Sequence, residues 1–162
     1  MRRVSFDLNG KRVDVEAREK RTLLEILRND LGVLSVKKGC EQGECGVCTV
    51  LLDGMPVTSC LVLGYVIEGR NVTTIEGLID DPIMKVLRQA FMEDGAIQCG
   101  FCTPGMLLSA YALLREKPRP TADEVKEGIE GNLCRCTGYT KIIRAVLDAS
   151  RSLSDFTHHS AS

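Results

Sequence analysis

Val4, Phe6 and Leu8 alternate with polar residues, Asn9-Gly10 follows, and Val13 and Val15 resume the alternation. Period-two alternation on both sides of an Asn-Gly turn predicts two paired strands. The period then changes. Thr22-Leu23-Leu24-Glu25 has the capping-box spacing, Leu23, Leu24, Ile26, Leu27 and Leu31 fill one broad face, and Gly32 stands where a helix would stop. A short helix is predicted there. Thr49 to Leu52, an Asp53-Gly54 turn, and Pro56 to Cys60 predict a second hairpin, and Val72 to Ile75 a further short strand. Sheet plus one crossing helix gives a β-grasp-like outline.

At about residue 80 the alternation gives way to helical spacing. Asp81-Pro82 opens a helix with a capping side chain and a proline in the first turn, carrying Ile83, Val86, Leu87, Ala90 and Phe91 on one side as far as Gly95. Thr103-Pro104 opens another, ending near Pro118 and Pro120. Thr121-Ala122-Asp123-Glu124 is a second capping box, leading a helix through Val125 and Ile129 to about Asn132. Ile142, Ile143, Val146 and Leu147 mark a fourth helix. After about Ser150 the tail, with His158 and His159, is polar and expected to fray. The division is therefore 1–78, 79–150 and a flexible tail over 151–162. The four helices form two successive hairpins, with Cys99 and Cys102 at one turn and Cys134 and Cys136 at the other. Packed side by side as a four-helix bundle, they would bring both turns to one end, where two cysteine pairs could share one metal centre.

Composition narrows the function. A chain of 162 residues, 44% apolar, suffices for one or two small cores but not for a large cofactor-binding enzyme. No G-x-G-x-x-G fingerprint follows a strand. Lys and Arg number 21 against 22 Asp and Glu, so there is no basic field of the kind nucleic acid demands. Met1-Arg2-Arg3 could open a signal peptide, but the polar Asp7, Asn9, Lys11, Arg12 and Asp14 follow, and the expected location is the cytoplasm. No run approaches the roughly eighteen apolar residues of a membrane span. Eight cysteines in a reducing compartment then point to metal ligation rather than disulfides.

Cys40, Cys45 and Cys48 have the spacing C-x4-C-x2-C, with Cys60 beyond a hairpin. A remote fourth cysteine after that triplet is the plant-type [2Fe–2S] signature. Gly39, Gly43 and Gly46 let the loop wrap closely and turn backbone N–H groups toward sulfur. Such donors stabilise an anionic cluster, the more so after it accepts an electron. A structural zinc site, the alternative, draws on two pairs of ligands, whereas three cysteines here share one loop. Cys99-x2-Cys102 with Cys134-x-Cys136, taken alone, fits a zinc ribbon as well as a cluster. A Rieske centre would need two histidines among its ligands, and both histidines here stand in the tail.

The segments Gly39-Cys40-Glu41-Gln42-Gly43-Glu44-Cys45-Gly46-Val47-Cys48-Thr49-Val50, Gln98-Cys99-Gly100-Phe101-Cys102-Thr103-Pro104-Gly105 and Gly131-Asn132-Leu133-Cys134-Arg135-Cys136-Thr137-Gly138-Tyr139 closely resemble the iron–sulfur portion of the xanthine dehydrogenase and aldehyde oxidase family. The match spans about residues 3 to 150 and uses all eight cysteines. The resemblance implies an α+β chain: an N-terminal β-grasp, plant-type ferredoxin-like domain, then a four-helix-bundle [2Fe–2S] domain. It implies two clusters, one on Cys40, Cys45, Cys48 and Cys60, the other on Cys99, Cys102, Cys134 and Cys136. The helical-domain cluster would lie nearer a molybdenum–molybdopterin cofactor, with Gln98 close enough to bond the pterin, and the other cluster nearer FAD. Both cofactors are expected in partner chains, a molybdopterin-binding large subunit and an FAD-binding medium subunit, in a heterotrimer or a dimer of heterotrimers. By spacing alone Gln98 is simply a polar amide beside a ligand.

The function expected is that of an electron-transfer subunit of a molybdenum hydroxylase, without a catalytic site of its own. The rival readings are a free-standing two-cluster ferredoxin and a zinc-stabilised interaction module. Met84, Met92 and Met106 are expected to pack rather than ligate. Glu41 and Glu44 are expected to face solvent or a partner, because an unpaired carboxylate near an anionic centre is costly to bury. Arg135, between two ligand cysteines, could offset cluster charge, meet a partner chain or stand solvated.

Overall fold

The computed structural model describes residues 2–17 and 20–159. Strands β1 (Arg2–Leu8) and β2 (Lys11–Ala17) pair antiparallel around Asn9 and Gly10, whose φ values of 52° and 77° are those of a two-residue primed turn. Helix α1 (Leu23–Glu25) begins with the expected capping box between Thr22 and Glu25, but the next five residues, Ile26–Asp30, wind as a π-helix. Its wider turn keeps Leu23, Leu24, Ile26 and Leu27 buried together against the sheet. Strands β3 (Thr49–Leu52) and β4 (Met55–Thr58) form the second hairpin, and β5 (Asn71–Thr73) pairs parallel to β1 and antiparallel to β3. The resulting order is β2-β1-β5-β3-β4. Strand β5 ends at Thr73, short of Ile75, which starts a 3-10 turn.

The expected helices follow: α2 (Pro82–Glu93), α3 (Thr103–Glu116), α4 (Ala122–Ile129) and α5 (Thr140–His159). Asp81 caps α2, its carboxylate accepting from the N–H groups of Ile83 and Met84. The capping box of Thr121 and Glu124 opens α4. Helix α5 runs to His159 and does not stop near Ser150. Ser150 is buried and its hydroxyl donates to the Pro118 carbonyl, and Leu153 packs against the helical core. Met84 and Met106 are fully buried, as expected of packing residues, whereas Met92 is 60% exposed.

Two cores result. Val4, Phe6, Leu24, Leu27, Val50, Leu52 and Val72 belong to the sheet and α1, while Met84, Leu87, Phe91, Met106, Leu108, Val125, Ile142 and Val146 belong to the helices. Strand β3 joins them. Its side chains alternate, so Val50 and Leu52 enter the first core and Leu51 enters the second. Burial on both faces explains why Thr49–Leu52 reads as a continuous apolar run after its first residue. No helix among the described residues is long and apolar enough to cross a membrane.

Candidate metal centres

Residues 39–48 form a loop leading into β3, and it winds repeatedly through the left-handed region at Glu41, Gly43 and Gly46, with φ of 55°, 79° and 67°. This winding turns N–H groups inward. The backbone N–H groups of Gln42 and Cys45 each donate to Cys40 Sγ at 3.4 Å, and that of Cys40 donates to Cys45 Sγ at 3.5 Å. Those donors draw the Cys40 thiol down to about 7, favouring its thiolate. Cys48 and Cys60 lie deeper. Burial, together with the neighbouring Cys48, pushes Cys60 up to about 11. The hydroxyl of Ser59 donates to the Cys48 carbonyl at 2.7 Å and so ties β4's end to the ligand loop.

The second group stands where the two helical hairpins turn. Cys99 and Cys136 approach to 3.5 Å between sulfurs and are exposed, while Cys102 and Cys134 form an inner pair. Burial, then Cys134, pushes Cys102 up to about 12. Gly138 and Tyr139, with φ of 68° each, reverse the chain so that the Tyr139 hydroxyl accepts from the Cys134 N–H at 2.9 Å. Thr137 Oγ1 lies 3.2 Å from Cys134 Sγ. Gln98 is exposed, and its Nε2 donates to the Cys136 carbonyl at 3.1 Å, bracing one cysteine turn against the other. Glu41, Glu44 and Arg135 are exposed; Glu41 makes an ion pair with Lys38 at 3.0 Å.

All eight cysteines are free thiols gathered in these two places. Two thiolates held ~2.3 Å from one tetrahedral metal lie about 3.8 Å apart, close to the 3.5 Å between Cys99 and Cys136. Among the described residues, no three Cys, His, Asp or Glu side chains converge on one ion position. The thiols come in pairs: Cys40 with Cys45, Cys48 with Cys60, Cys99 with Cys136 and Cys102 with Cys134. Two pairs per site is the donor set that a two-iron cluster asks for, one pair for each iron.

The two sites are joined. The N–H of Leu133 donates to the Cys45 carbonyl at 2.9 Å. Beside it Asn132, fully enclosed, reaches the Gly46 carbonyl at 3.0 Å and Thr49 Oγ1 at 3.2 Å, and accepts from Ser109 Oγ at 2.6 Å. Sequence reasoning gave Asn132, Thr49, Ser109 and Tyr139 no role. Asn132 meets Gly46 and Thr49 across more than eighty positions of chain and Ser109 across 23, which spacing within one motif cannot signal, whereas Tyr139 meets Cys134 only five positions away.

Residues 6–78 match the model of the 2Fe-2S iron-sulfur cluster binding domain, and residues 74–147 match that of the [2Fe-2S] binding domain. The chain is 47% identical to the nicotinate dehydrogenase small FeS subunit of Eubacterium barkeri, over 88% of this chain and 91% of that one. The chain belongs to the iron–sulfur small subunits of the xanthine dehydrogenase and aldehyde oxidase family. Another such small subunit, the xanthine dehydrogenase iron-sulfur-binding subunit of Escherichia coli O157:H7, is 45% identical over 92% of this chain and 94% of its own. The crystal structure of quinoline 2-oxidoreductase from Pseudomonas putida 86 contains a chain with the same fold, with a TM-score of 0.88 and 42% identity over 95% of this chain and 96% of that one. As a small subunit of this family the chain carries two [2Fe–2S] clusters and transfers electrons within a molybdenum-containing oxidoreductase, and larger partner subunits bear the molybdenum–pterin cofactor and FAD.

Proposed function

We propose that this subunit relays single electrons from a molybdenum–pterin site in a large subunit to FAD in a medium subunit, with Cys40, Cys45, Cys48 and Cys60 holding the first cluster and Cys99, Cys102, Cys134 and Cys136 the second. The assembly is a cytoplasmic heterotrimer or dimer of heterotrimers. Each cluster, when bound, supplies a one-electron centre whose potential is set by its thiolates, the hydrogen bonds to sulfur and its exposure. The chain's own residues supply the rest. The N–H groups of Gln42 and Cys45 neutralise charge at Cys40, and the buried Cys48 and Cys60 keep water from the inner face of the first site.

The observation that carries the reading is the direct hydrogen bond from Leu133 N–H to the Cys45 carbonyl. It leaves one non-covalent step between a ligand of the first site and Cys134 of the second. Gln98, whose Nε2 donates to the Cys136 carbonyl, is exposed beside the second site, which suits contact with the pterin. The exposed thiols Cys99 and Cys136 sit among exposed Ile97, Phe101 and Leu133. An apolar rim around an exposed metal site favours a subunit covered by a partner over a freely diffusing ferredoxin. The relatives act on nicotinate, xanthine and quinoline by name, yet all keep this chain at more than 40% identity, so substrate choice belongs to another subunit.

The test is made on the purified complex. Substrate should reduce its flavin, and Cys136→Ala should abolish that reduction while substrate still binds. Flavin reduction at an unchanged rate in the variant would show that electrons do not pass this way.

A further inference from the structure

Asn132 is only 4% exposed and spends its whole amide on groups from three other parts of the chain. Nδ2 donates to the Gly46 carbonyl, between Cys45 and Cys48, and to Thr49 Oγ1 at the start of β3. Oδ1 accepts from Ser109 in the middle of α3. Asn132 itself stands two residues before Cys134. Thr49 completes the ring, since its hydroxyl and its N–H both donate to the same Gly46 carbonyl, at 2.6 and 3.0 Å. A buried amide left without partners is costly, so the network holds only one arrangement of the two loops.

The backbones leave no slack around it. A Cβ on Gly105 would lie 2.6 Å from the Gly46 carbonyl oxygen, and one on Gly46 would lie 2.1 Å from that of Gly131. Glycine at these positions lets the chain of one cysteine site touch that of the other, and the amide then locks the contact. The geometry points to Asn132 as a positioning residue that fixes the spacing and orientation of the two cysteine cages relative to each other. This inference rests on the reading that both cages hold clusters. Electron tunnelling falls steeply with separation, and a fixed separation keeps the rate between centres uniform from molecule to molecule. An amide also does this without charge, whereas a carboxylate at the same place would stand between two anionic centres.

The experiment uses the complex with both clusters reduced. Each reduced cluster carries an unpaired spin, and the splitting that one spin imposes on the other falls as the cube of their distance, so low-temperature electron paramagnetic resonance reads the spacing. Asn132→Leu removes every bond of the clamp while keeping the number and branching of side-chain heavy atoms, and Ser109→Ala removes its anchor on α3 alone. The wild type should show one sharp splitting, Asn132→Leu a broadened and unresolved one, and Ser109→Ala a smaller broadening, with about four irons per chain in every sample. Asn132→Leu with its iron complete and its splitting unaltered would overturn the inference. Should that variant fail to fold, Ser109→Ala decides by the same criterion, broadening supporting the clamp and an unchanged line refuting it. Wild-type protein without iron would defeat the cluster reading instead, a different outcome read from a different measurement.

Discussion

Gly46 sits at φ 67°, and the atom that any other residue would add at its Cα falls on the carbonyl oxygen of Gly131. The left-handed conformation alone costs an L-residue ~1–2 kcal/mol. The steric conflict adds to this because it is with backbone, which cannot swing aside as a side chain can. Gly46→Ala should therefore lower the unfolding free energy of the subunit by more than that conformational cost and loosen the first site. Denaturant unfolding checks the first effect, and loss of visible absorption at low denaturant checks the second. Gly10, with φ of 77° and open space around it, should suffer only the conformational part on substitution by Ala. At this scale the sequence was legible where spacing carries the information. The eight cysteines are marked by C-x4-C-x2-C and by paired thiols at two turns, and the structure gathers them in two places. Asn132 was not legible, because an asparagine ahead of a cysteine has the same local pattern whether it faces water or three buried partners.

Among the elements, α4 is the shortest of the C-terminal helices and leans on its capping box, in which Glu124 accepts from the Thr121 N–H at 2.8 Å and from Lys117 at 2.8 Å. Thr121→Ala should cost about 1 kcal/mol, measured by chemical unfolding. The Lys117 ammonium, then the Thr121 N–H, holds the Glu124 carboxyl down at about 2. A carboxyl depressed in the folded state stabilises it fully above its ordinary value of 4.5 and loses that contribution as pH falls toward 2. Glu124→Gln should thus be less stable than wild type at neutral pH, and the gap should narrow on acidification below about pH 4.5. A gap constant with pH would contradict this. Caps and turns are local chemistry, which is why both capping boxes and both primed turns could be read in advance. The π-helical winding after Glu25 and the extension of α5 to His159 could not, since each is stabilised by burial against distant residues: the sheet for Ile26 and Leu27, the Pro118 carbonyl for Ser150.

For the whole molecule, β3 is the shared wall between two cores, and Leu51 is the residue of that strand that crosses into the helical one. Leu51→Ala should cost ~2–5 kcal/mol and should reduce the cooperativity between sheet and helices, seen as a separation of the unfolding transitions followed by cluster absorption and by far-ultraviolet dichroism. The passage from sheet to helices is visible in the sequence as a change of period at about residue 80, yet the interface between the two cores is not, because Thr49–Leu52 reads as an ordinary buried strand until a second core is found on its far side. What the arrangement accomplishes is to hold two groups of four thiols at a fixed contact, with the outer pair of one group, Cys99 and Cys136, exposed. The most direct test of that account is the metal content of anaerobically purified protein. About four irons with matching acid-labile sulfide per chain are predicted, falling to about half in Cys48→Ala as only the helical site stays filled. Zinc in place of iron, or a single metal ion per site, would contradict it.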